Sequence, residues 1–447
     1  MKLFHIFEYG KIRCEGESSS GDFPHDLLIP KDDFNDIWDF VLEQHSLNND
    51  SSYICKLYTR QGRRVIQATN YVGTLETTRH TAIEILPKIY KVNSYKESKA
   101  IFLRMLSSLP DTPFRSFQFA NVDSISNFPV LEIFISQYIN LLEIILKGGL
   151  KKDYVRVKHQ SKYIKGQLNF HENLRNNLID KTKFNVSSHL YIDNIPLNRI
   201  VHSTLVKLLN ISSDANNIIS IRSLLRNYSN VPLSSNVEKD LISLSHLSRL
   251  YKSYETIVEW SSVLLHDKGF INFSGAHLNK ALLYPMQELF ESFVALLFKK
   301  YATSHSVHTQ HKKYFLIDRH NGSPRFQLRP DIVLTSDYDL ETVILDTKWK
   351  IIDENKSSKK DNYNIDIADM YQLYAYGKKY SLGSTLEPRL FLIYPQTDTF
   401  TQTLSPFFYE EKNGAFHLRL EAIPFDLSNS NSYELQIQNI VNHIENS

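Results

Sequence analysis

Two aspartates and a lysine in the last third of the chain have the types and the spacing that chemistry requires. Asp331 precedes an apolar run, and a second apolar run leads into Asp346, with Lys348 two residues later. Because side chains alternate along a strand, Asp346 and Lys348 are expected on one face of a sheet. Burying such charges is unfavourable unless they are paired or bind a metal ion. The pattern therefore predicts a compact charged site beside an apolar sheet.

Hydrolysis of a phosphodiester bond is the reaction that these side chains could support. Mg²⁺ is often held by one or two carboxylates, with waters and substrate phosphate oxygens completing its coordination. Such an ion polarises the phosphate and lowers the pKa of a bound water. Asp331 and Asp346 would be the metal ligands, and Lys348 would orient the water or stabilise developing negative charge. An Asp and a Lys two residues apart can also be a solvated pair on an exposed strand.

The same residues resemble a known nuclease signature. Pro330-Asp331, followed by the Asp-Thr-Lys of residues 346–348, is similar to the PD-(D/E)xK signature of a nuclease superfamily. In that superfamily a preceding helix usually contributes a Glu to the metal site. The resemblance assigns this role to Glu291, and Glu288 on the same predicted helix is the alternative.

A downstream helix extends the resemblance. Gln372 and Tyr376 resemble the QxxxY pair of one nuclease branch, in which they support the active site and the DNA backbone. They lie one helical turn apart and share a face. An ordinary role on the surface or in the core of the helix is the alternative.

Several longer segments resemble the McrC family more closely. They are 328–334, 345–350 and 371–377 in the last third, 83–89 near the start and 194–199 in the middle. The likeness is firm over roughly 284–395.

The McrC resemblance implies a partner and cofactors. It implies a Mg²⁺-dependent endonuclease, with Mn²⁺ as an alternative metal, that cuts double-stranded DNA containing methylcytosine. It also implies that the chain binds and stimulates a hexameric McrB-like AAA+ GTPase, so that GTP is used by the partner. The sequence agrees with this assignment, because it contains no GxxxxGK[ST] phosphate loop.

Patterning predicts an α/β multidomain protein with three segments. Residues 1–96 read as a β-rich domain that would bind the partner, with strands at Val65–Tyr71 and Ala82–Ile89. Residues 97–275 read as a mainly helical middle domain interrupted by a β-like patch at Tyr154–Phe170. Residues 276–447 would be a PD-(D/E)xK α/β nuclease domain with a mixed sheet.

The predicted nuclease domain has the order α-β-β-β-α-β. Its elements are a helix at Leu282–Tyr301, strands at Lys313–Asp318, Arg325–Thr335 and Glu341–Trp349, a helix at Ile365–Tyr380 and a strand at Arg389–Tyr394. The polar segment 353–364 between the third strand and the second helix is expected to be mobile.

Composition limits the protein class. Apolar residues make up 42% and charged residues 22% of the 447 residues, which is typical of a globular protein. The formal charge of +2 argues against a histone-like DNA binder, so any DNA contact would be local or shared with a partner. Two cysteines and the lack of a long apolar run favour a cytoplasmic setting without membrane contact.

Other patterns and other functions remain as alternatives. His305, His308 and His311 could suggest a zinc site, but they are expected at a helix end and a turn, with no cysteine nearby. The lysines of segment 353–364 could touch DNA phosphates or only water. The rival functions are a non-cleaving adaptor that activates the partner GTPase and a stand-alone PD-(D/E)xK repair nuclease. The intact set of two acids and a lysine argues against the first, and the long non-nuclease region argues against the second.

Overall fold

The chain is described in two compact units. The computed structural model describes residues 2–16, 26–47, 54–77, 79, 81–92, 94–109, 129–176, 182–244, 254–266, 278–336, 342–382, 387–409, 411–412, 415–416 and 418–446. The first unit combines Met1–Pro129 with Ile271–Ser447, and the second is Val130–Phe270. This division differs from the three predicted segments, because the β-rich and the C-terminal segments pack as one unit.

Strands and helices alternate along the described chain. The strands are β1 (Lys2–Phe7), β2 (Lys11–Cys14), β3 (Leu27–Ile29), β4 (Cys55–Arg60), β5 (Arg63–Ala68), β6 (Tyr71–Thr77), β7 (Thr81–Leu86), β8 (Asp153–Ser161), β9 (Gln167–Leu168), β10 (Phe184–Ile192), β11 (Leu278–Pro285), β12 (His305–Thr309), β13 (Phe315–His320), β14 (Ser323–Gln327), β15 (Ile332–Ser336), β16 (Thr342–Thr347), β17 (Arg389–Pro395), β18 (Phe407–Phe408), β19 (Glu411–Lys412), β20 (Ala415–Phe416) and β21 (Arg419–Phe425). The helices are α1 (Lys31–Leu47), α2 (Tyr95–Leu106), α3 (Val130–Leu146), α4 (Phe170–Asn176), α5 (Pro196–Ile211), α6 (Ala215–Leu225), α7 (Val237–Leu244), α8 (Glu255–His266), α9 (Met286–Tyr301), α10 (Ile367–Tyr380) and α11 (Tyr433–Asn446).

Two four-stranded sheets form the N-terminal part of the first unit. Their strand orders are β1-β7-β6-β11 and β3-β2-β5-β4. They share a core that includes Ile12, Ile66, Ile83 and Leu283. Helix α1 packs on this core through apolar residues spaced three and four apart, such as Phe34. This helix was not predicted, because the first hundred residues read as strands broken by polar turns.

A six-stranded mixed sheet forms the C-terminal part of the same unit. Its order is β12-β15-β16-β17-β21-β18, in which β17 runs parallel to both β16 and β21 and the other neighbours are antiparallel. Helices α9 and α10 both pack on the sheet strand β16. The core under α10 includes Val333, Ile344, Leu373 and Leu392. A mixed α/β arrangement was predicted here, and it is present.

Two predicted elements of this region are wrong in their bounds. The helix begins at Met286 and not at Leu282, because β11 extends through Pro285 and pairs with β6 at the edge of the N-terminal sheet. The predicted strand Arg325–Thr335 is two strands, β14 and β15, that belong to different sheets. Pro330 between them lacks the N–H that a continuous ladder would need.

The segment 353–364 is a loop closed by backbone hydrogen bonds. The Asp353 N–H donates to the Tyr363 carbonyl at 3.0 Å, and the Tyr363 N–H donates to the Lys356 carbonyl at 2.7 Å. Asn362, Tyr363 and Asn364 all have positive φ. The loop is therefore ordered by its own hydrogen bonds and connects β16 to α10.

The second unit joins helices to a small sheet of order β8-β10-β9. Helix α5 packs against α6, α7 and α8, in agreement with the predicted helical character. Asn198 donates to the carbonyls of Lys151 and Asp193, both at 2.7 Å, and Arg199 pairs with Asp240 at 2.7 Å. These contacts give Asn198 and Arg199 a structural role in this unit. Among the described helices of the whole chain, none is long and apolar enough to cross a membrane.

Candidate active site

The ends of β15 and β16 place the two predicted aspartates side by side. Ile332 pairs with Leu345 in antiparallel register, so that Asp331, just before β15, lies opposite Asp346 near the end of β16. Asp346 is fully buried, and Asp331 is 7% exposed. The backbone N–H and the hydroxyl of Thr347 donate to Asp331 Oδ2 at 2.7 and 2.8 Å. The carboxyl group of Asp331 is therefore held by the strand that carries Asp346.

Lys348 lies at the mouth of this pair. Its ammonium group forms an ion pair with Asp346 Oδ2 and donates to Gln372 Oε1 at 3.0 Å. Gln372 Nε2 in turn donates to the Tyr376 hydroxyl at 2.7 Å, which donates to the Arg329 carbonyl at 3.2 Å. A continuous chain of contacts therefore runs from Asp346 through α10 to the backbone just before Asp331.

Glu291 approaches the same site from α9. Gln310 donates a short hydrogen bond to Glu291 Oε1. The charges of Asp346 and Lys348 both act on Glu291, whereas Glu288 is exposed. Of the two glutamates that the sequence left open, Glu291 is the one at the site. All six predicted site residues are thus brought together.

Burial dominates the electrostatics of the site. Burial, reinforced by the neighbouring Glu291, raises the pKa of Asp331 to about 7 despite the Thr347 hydrogen bonds. Burial, reinforced by Asp331, raises the pKa of Asp346 to about 7, although Lys348 opposes the shift. For Lys348, burial lowers the pKa, but the pairing with Asp346 outweighs it and the net pKa is raised. The site thus holds a charged lysine beside carboxyl groups that resist ionisation.

The carboxyl groups of the site are suited to binding a cation. Asp346 Oδ1 is buried and has no hydrogen-bond partner among the described residues. A buried carboxylate oxygen without a partner is unfavourable unless something else neutralises it. In the described part of the chain, no three or more Asp, Glu, His or Cys side chains are already arranged as a metal cage. One or two carboxylates with water and phosphate oxygens are the usual donors for Mg²⁺, and this site can supply such a set.

Two sets of contacts that position the residues around Lys348 were not predicted from the sequence. Gln287 donates to the Thr347 carbonyl at 2.6 Å and accepts from the Trp349 N–H at 2.7 Å, so that it clamps the backbone on both sides of Lys348. Lys350 bonds both oxygens of Asp369 at 3.0 and 2.8 Å. Spacing could have indicated both, because Gln287 lies four residues before Glu291 and Asp369 three before Gln372, each pair on one helix face.

A buried glutamate from the start of the chain reaches the same strand end. The Trp349 indole N–H donates to both oxygens of Glu8, at 3.0 and 3.2 Å, and the Lys88 N–H donates at 3.2 Å. Burial raises the pKa of Glu8 to about 8. No sequence signal joined Glu8 to Trp349, because their contact spans 341 positions.

The histidine cluster has a structural explanation. His305 and His308 lie in β12, a strand that the sequence analysis placed at a helix end. The His308 and His311 rings stack at 5.4 Å, and His311 Nδ1 lies 2.8 Å from the Tyr380 hydroxyl. These contacts give His308 and His311 a role in packing.

Comparisons with known proteins identify a family for the chain. Residues 66–395, well over half of the chain, match the family "McrBC: McrBC 5-methylcytosine restriction system component". No protein with a curated description matches the chain.

Two solved structures have a similar fold. One is a chain of the "Refined half-complex from tetradecameric assembly of Thermococcus gammatolerans McrB AAA+ hexamers with bound McrC", with a TM-score of 0.66, 17% identity and coverage of 98% of this chain and 100% of that chain. The other is a chain of the "Cryo-EM structure of the Thermococcus gammatolerans McrBC complex", with a TM-score of 0.48, 17% identity and coverage of 70% and 90%. At this identity the first likeness bears on the fold, while the family match covers the site residues Glu291 to Tyr376 as well. The chain therefore belongs to the family of McrBC 5-methylcytosine restriction system components.

Proposed function

We propose that the chain is the Mg²⁺-dependent DNA endonuclease subunit of a McrBC-like restriction complex, with a PD-(D/E)xK catalytic domain. The observation that carries the proposal is the fully buried Asp346 near the end of an inner sheet strand, which has one oxygen without a hydrogen-bond partner among the described residues and the other paired with Lys348. A buried charged group of this kind, with a shifted pKa and an adjacent cation, is typical of a functional site.

The carboxyl groups of Asp331, Asp346 and Glu291 would hold the metal. When bound, Mg²⁺ or Mn²⁺ would polarise the scissile phosphate and lower the pKa of an attacking water. Because burial raises the pKa of both aspartates to about 7, their ionised form needs a cation nearby, which favours metal binding. The same raised pKa values predict weaker metal binding in acid, since protons then compete for the carboxylates.

Lys348 would act on the phosphate or on the attacking water. Its pKa is raised, so the ammonium stays charged at neutral pH and serves as a hydrogen-bond donor and positive charge. Gln372 accepts one of its hydrogens and thereby orients the remaining donors. Tyr376 holds Gln372 in place and ties this arrangement to the backbone of Arg329. Preorganised donors of this kind stabilise charge that develops in the transition state.

The partner is proposed from family membership and from fold similarity. In the Thermococcus gammatolerans structure McrC is bound to McrB AAA+ hexamers. By analogy this chain would bind an AAA+ GTPase hexamer and stimulate its GTP hydrolysis, while the partner uses the GTP. The substrate would be double-stranded DNA that contains methylcytosine, in line with the family description.

The deciding experiment is plasmid cleavage by the purified chain. Methylated and unmethylated plasmids are incubated with Mg²⁺ and GTP, with and without an AAA+ GTPase encoded beside this chain. We expect cutting of methylated plasmid only when the partner and GTP are present. Asp346→Ala should reduce the rate by at least about 10³-fold, because the metal site supplies several kcal/mol of transition-state stabilisation.

A matched substitution controls for the loss of a carboxylate. Asp398→Ala removes an exposed aspartate from the same unit and should cut as fast as wild type. If Asp346→Ala also cuts as fast as wild type, the assigned active site is wrong. If nothing cuts but the GTPase rate of the partner rises on mixing, the chain is an adaptor. Cutting without any partner would indicate a stand-alone nuclease.

A further inference from the structure

The strands β13 and β14 form a two-stranded ribbon that the proposed mechanism does not use. Asn321 and Gly322 connect them with φ values of 48° and 83°, which is typical of a type I′ hairpin turn. Nearly every residue of both strands is exposed. An isolated two-stranded hairpin is marginally stable in water. Contacts at its base must therefore hold the ribbon in place.

Those contacts attach the ribbon to helix α10. The Leu328 N–H donates to the Tyr314 carbonyl at 2.9 Å, and the Tyr314 ring packs edge-on against Tyr380 at 4.6 Å. Lys379 donates to both oxygens of Asp318 at 2.8 Å. The same helix carries the glutamine that bonds the lysine of the site. The ribbon and the active site are thus fixed to one element.

The ribbon and its two flanks are strongly basic. Residues 312–329 contain five basic side chains and one acidic side chain, whereas the whole chain has a formal charge of only +2. The basic residues are Lys312, Lys313, Arg319, Arg325 and Arg329. The single acid, Asp318, is already paired with Lys379. The positive charge is thus concentrated here and is not cancelled within the ribbon.

Three side chains of the ribbon are exposed to solvent. Two of them are Arg319 and Arg325, whose guanidinium groups form no hydrogen bond or ion pair with a described residue. Phe326 is 74% exposed and has a φ of +58°, a conformation that is unfavourable for a bulky residue. Strain of this kind persists mainly where function requires it. Basic groups beside an exposed aromatic ring match the chemistry of nucleic acid.

The ribbon lies close to the site along the chain. Four residues lead from Gln327 to Asp331, so that their Cα atoms are at most about 14 Å apart. A two-stranded ribbon fits the major groove of B-DNA, which is about 12 Å wide. A duplex with its scissile phosphate at Asp331 would therefore pass within reach of the ribbon.

We propose that the β13–β14 ribbon contacts duplex DNA beside the bond to be cut, with Arg319 and Arg325 bound to phosphates. This inference rests on the proposed function, since it assumes that DNA is the substrate. The ribbon would then be a local DNA-binding surface, which explains how a nearly neutral protein can bind a polyanion.

The test measures DNA binding by the full-length chain. The Asp346→Asn variant, which should not cut, is titrated against a fluorescent duplex with Mg²⁺ at several salt concentrations. In that background, Arg319→Ala with Arg325→Ala should weaken binding about tenfold at low salt. The slope of the logarithm of the binding constant against the logarithm of the salt concentration should become shallower by about two. Each lost phosphate contact means that about one fewer counterion is released from the DNA on binding. Arg319→Lys with Arg325→Lys should restore both quantities.

The matched control is Arg222→Ala with Arg226→Ala, two exposed arginines of the second unit, which should leave binding and its salt slope unchanged. If the duplex binds but the ribbon variant has the affinity and slope of its parent, the ribbon inference is overturned and the nuclease proposal stands. If wild type cuts with its partner while the chain alone does not bind DNA, the ribbon inference is likewise overturned and the nuclease proposal likewise stands. If wild type neither binds nor cuts DNA, both proposals fail.

Discussion

Among the described residues of the first unit, Glu84–Lys99 and Asp346–Lys348 are both ion pairs with a fully buried carboxylate, but their surroundings differ. Glu84 of β7 pairs with Lys99 of α2, and the side chains are 0% and 1% exposed. Asp346 pairs with Lys348 on the same strand end, and here the lysine is 14% exposed. In the first pair the cation comes from a helix that covers the sheet, so nothing can approach it. In the second, Asp346 lies near the end of β16, Lys348 follows directly after it, and the lysine remains accessible.

Burial of an ion pair does not by itself indicate a catalytic role. Glu84 has a second neighbour, because His5 Nε2 lies 3.2 Å from its Oε2. Asp346 instead keeps Oδ1 without a hydrogen-bond partner among the described residues. The pair at the site is therefore left incomplete on the side that a substrate or metal would occupy. An accessible cation and an unfilled acceptor distinguish a candidate catalytic pair from a structural one.

Removing one carboxylate charge from each pair should give the largest difference. Glu84→Gln removes the negative charge that faces the buried Lys99 and should lower the free energy of unfolding by about 3–5 kcal/mol. Asp346→Asn should lower it by less than about 1 kcal/mol in metal-free protein at pH 8, or raise it. The sign follows from the pKa of Asp346, which is raised to about 7: its contribution to stability is lost as the pH rises through that value. Urea unfolding with a chelator present measures both changes.

The two variants control for each other, because both replace a fully buried carboxylate with an amide. Equal destabilisation by both substitutions would contradict the distinction between the pairs. Loss of stability only in Asp346→Asn would reverse their roles.

The difference between the pairs also explains what the sequence could predict. Asp346 and Lys348 are two residues apart on a strand, so alternation alone places them together. The partner of Glu84 lies on a separate helix, and no sequence pattern joined the two residues. The resemblance to a nuclease helix singled out Gln372 and Tyr376, and helical spacing places them on one face, where they are hydrogen-bonded to each other.

Contacts between distant segments could not be read from the sequence. The Leu282–Pro285 stretch looks like the first turn of a helix, and only its pairing with β6 makes it a strand. A long-range pairing of this kind overrides local propensity. The two aspartates were predicted from their types, but their alignment depends on the register of β15 with β16.

Glu8 is a further buried carboxyl group of the first unit, and it has no cation among its described hydrogen-bond partners. Burial raises its pKa to about 8, and its partners are the Trp349 indole and the Lys88 N–H. A raised carboxyl pKa contributes stability in acid that is lost as the pH rises toward 8. Between pH 5 and pH 9 wild type should therefore lose on the order of 3 kcal/mol through this group.

Glu8→Gln tests this prediction, since the amide cannot ionise. Thermal unfolding across the pH range should show the variant and wild type close together at pH 5 and the variant more stable at pH 9. Parallel curves for the two proteins would mean that Glu8 ionises normally in the folded chain.

The smallest expected effect is on the rate of plasmid cleavage and concerns the hydrogen-bond chain that orients Lys348. The buried pair of Glu84 and Lys99 has a structural role that does not depend on such orientation. Gln372→Ala removes the acceptor of Lys348, and Tyr376→Phe removes the donor to the Arg329 carbonyl. Each should reduce plasmid cleavage about tenfold, because a buried hydrogen bond contributes about 1 kcal/mol and 1.36 kcal/mol corresponds to a factor of ten. Unfolding temperatures should change little.

The double variant decides whether the two residues act as one chain. If Tyr376 works only by holding Gln372, then Gln372→Ala with Tyr376→Phe should be no slower than Gln372→Ala alone. Independent contributions would multiply to about a hundredfold loss. The exposed Gln438 of α11 provides the control, since Gln438→Ala should cut at the wild-type rate. Multiplying losses would mean that Tyr376 contacts the substrate directly, and Lys348 would then have to be oriented by Asp346 alone.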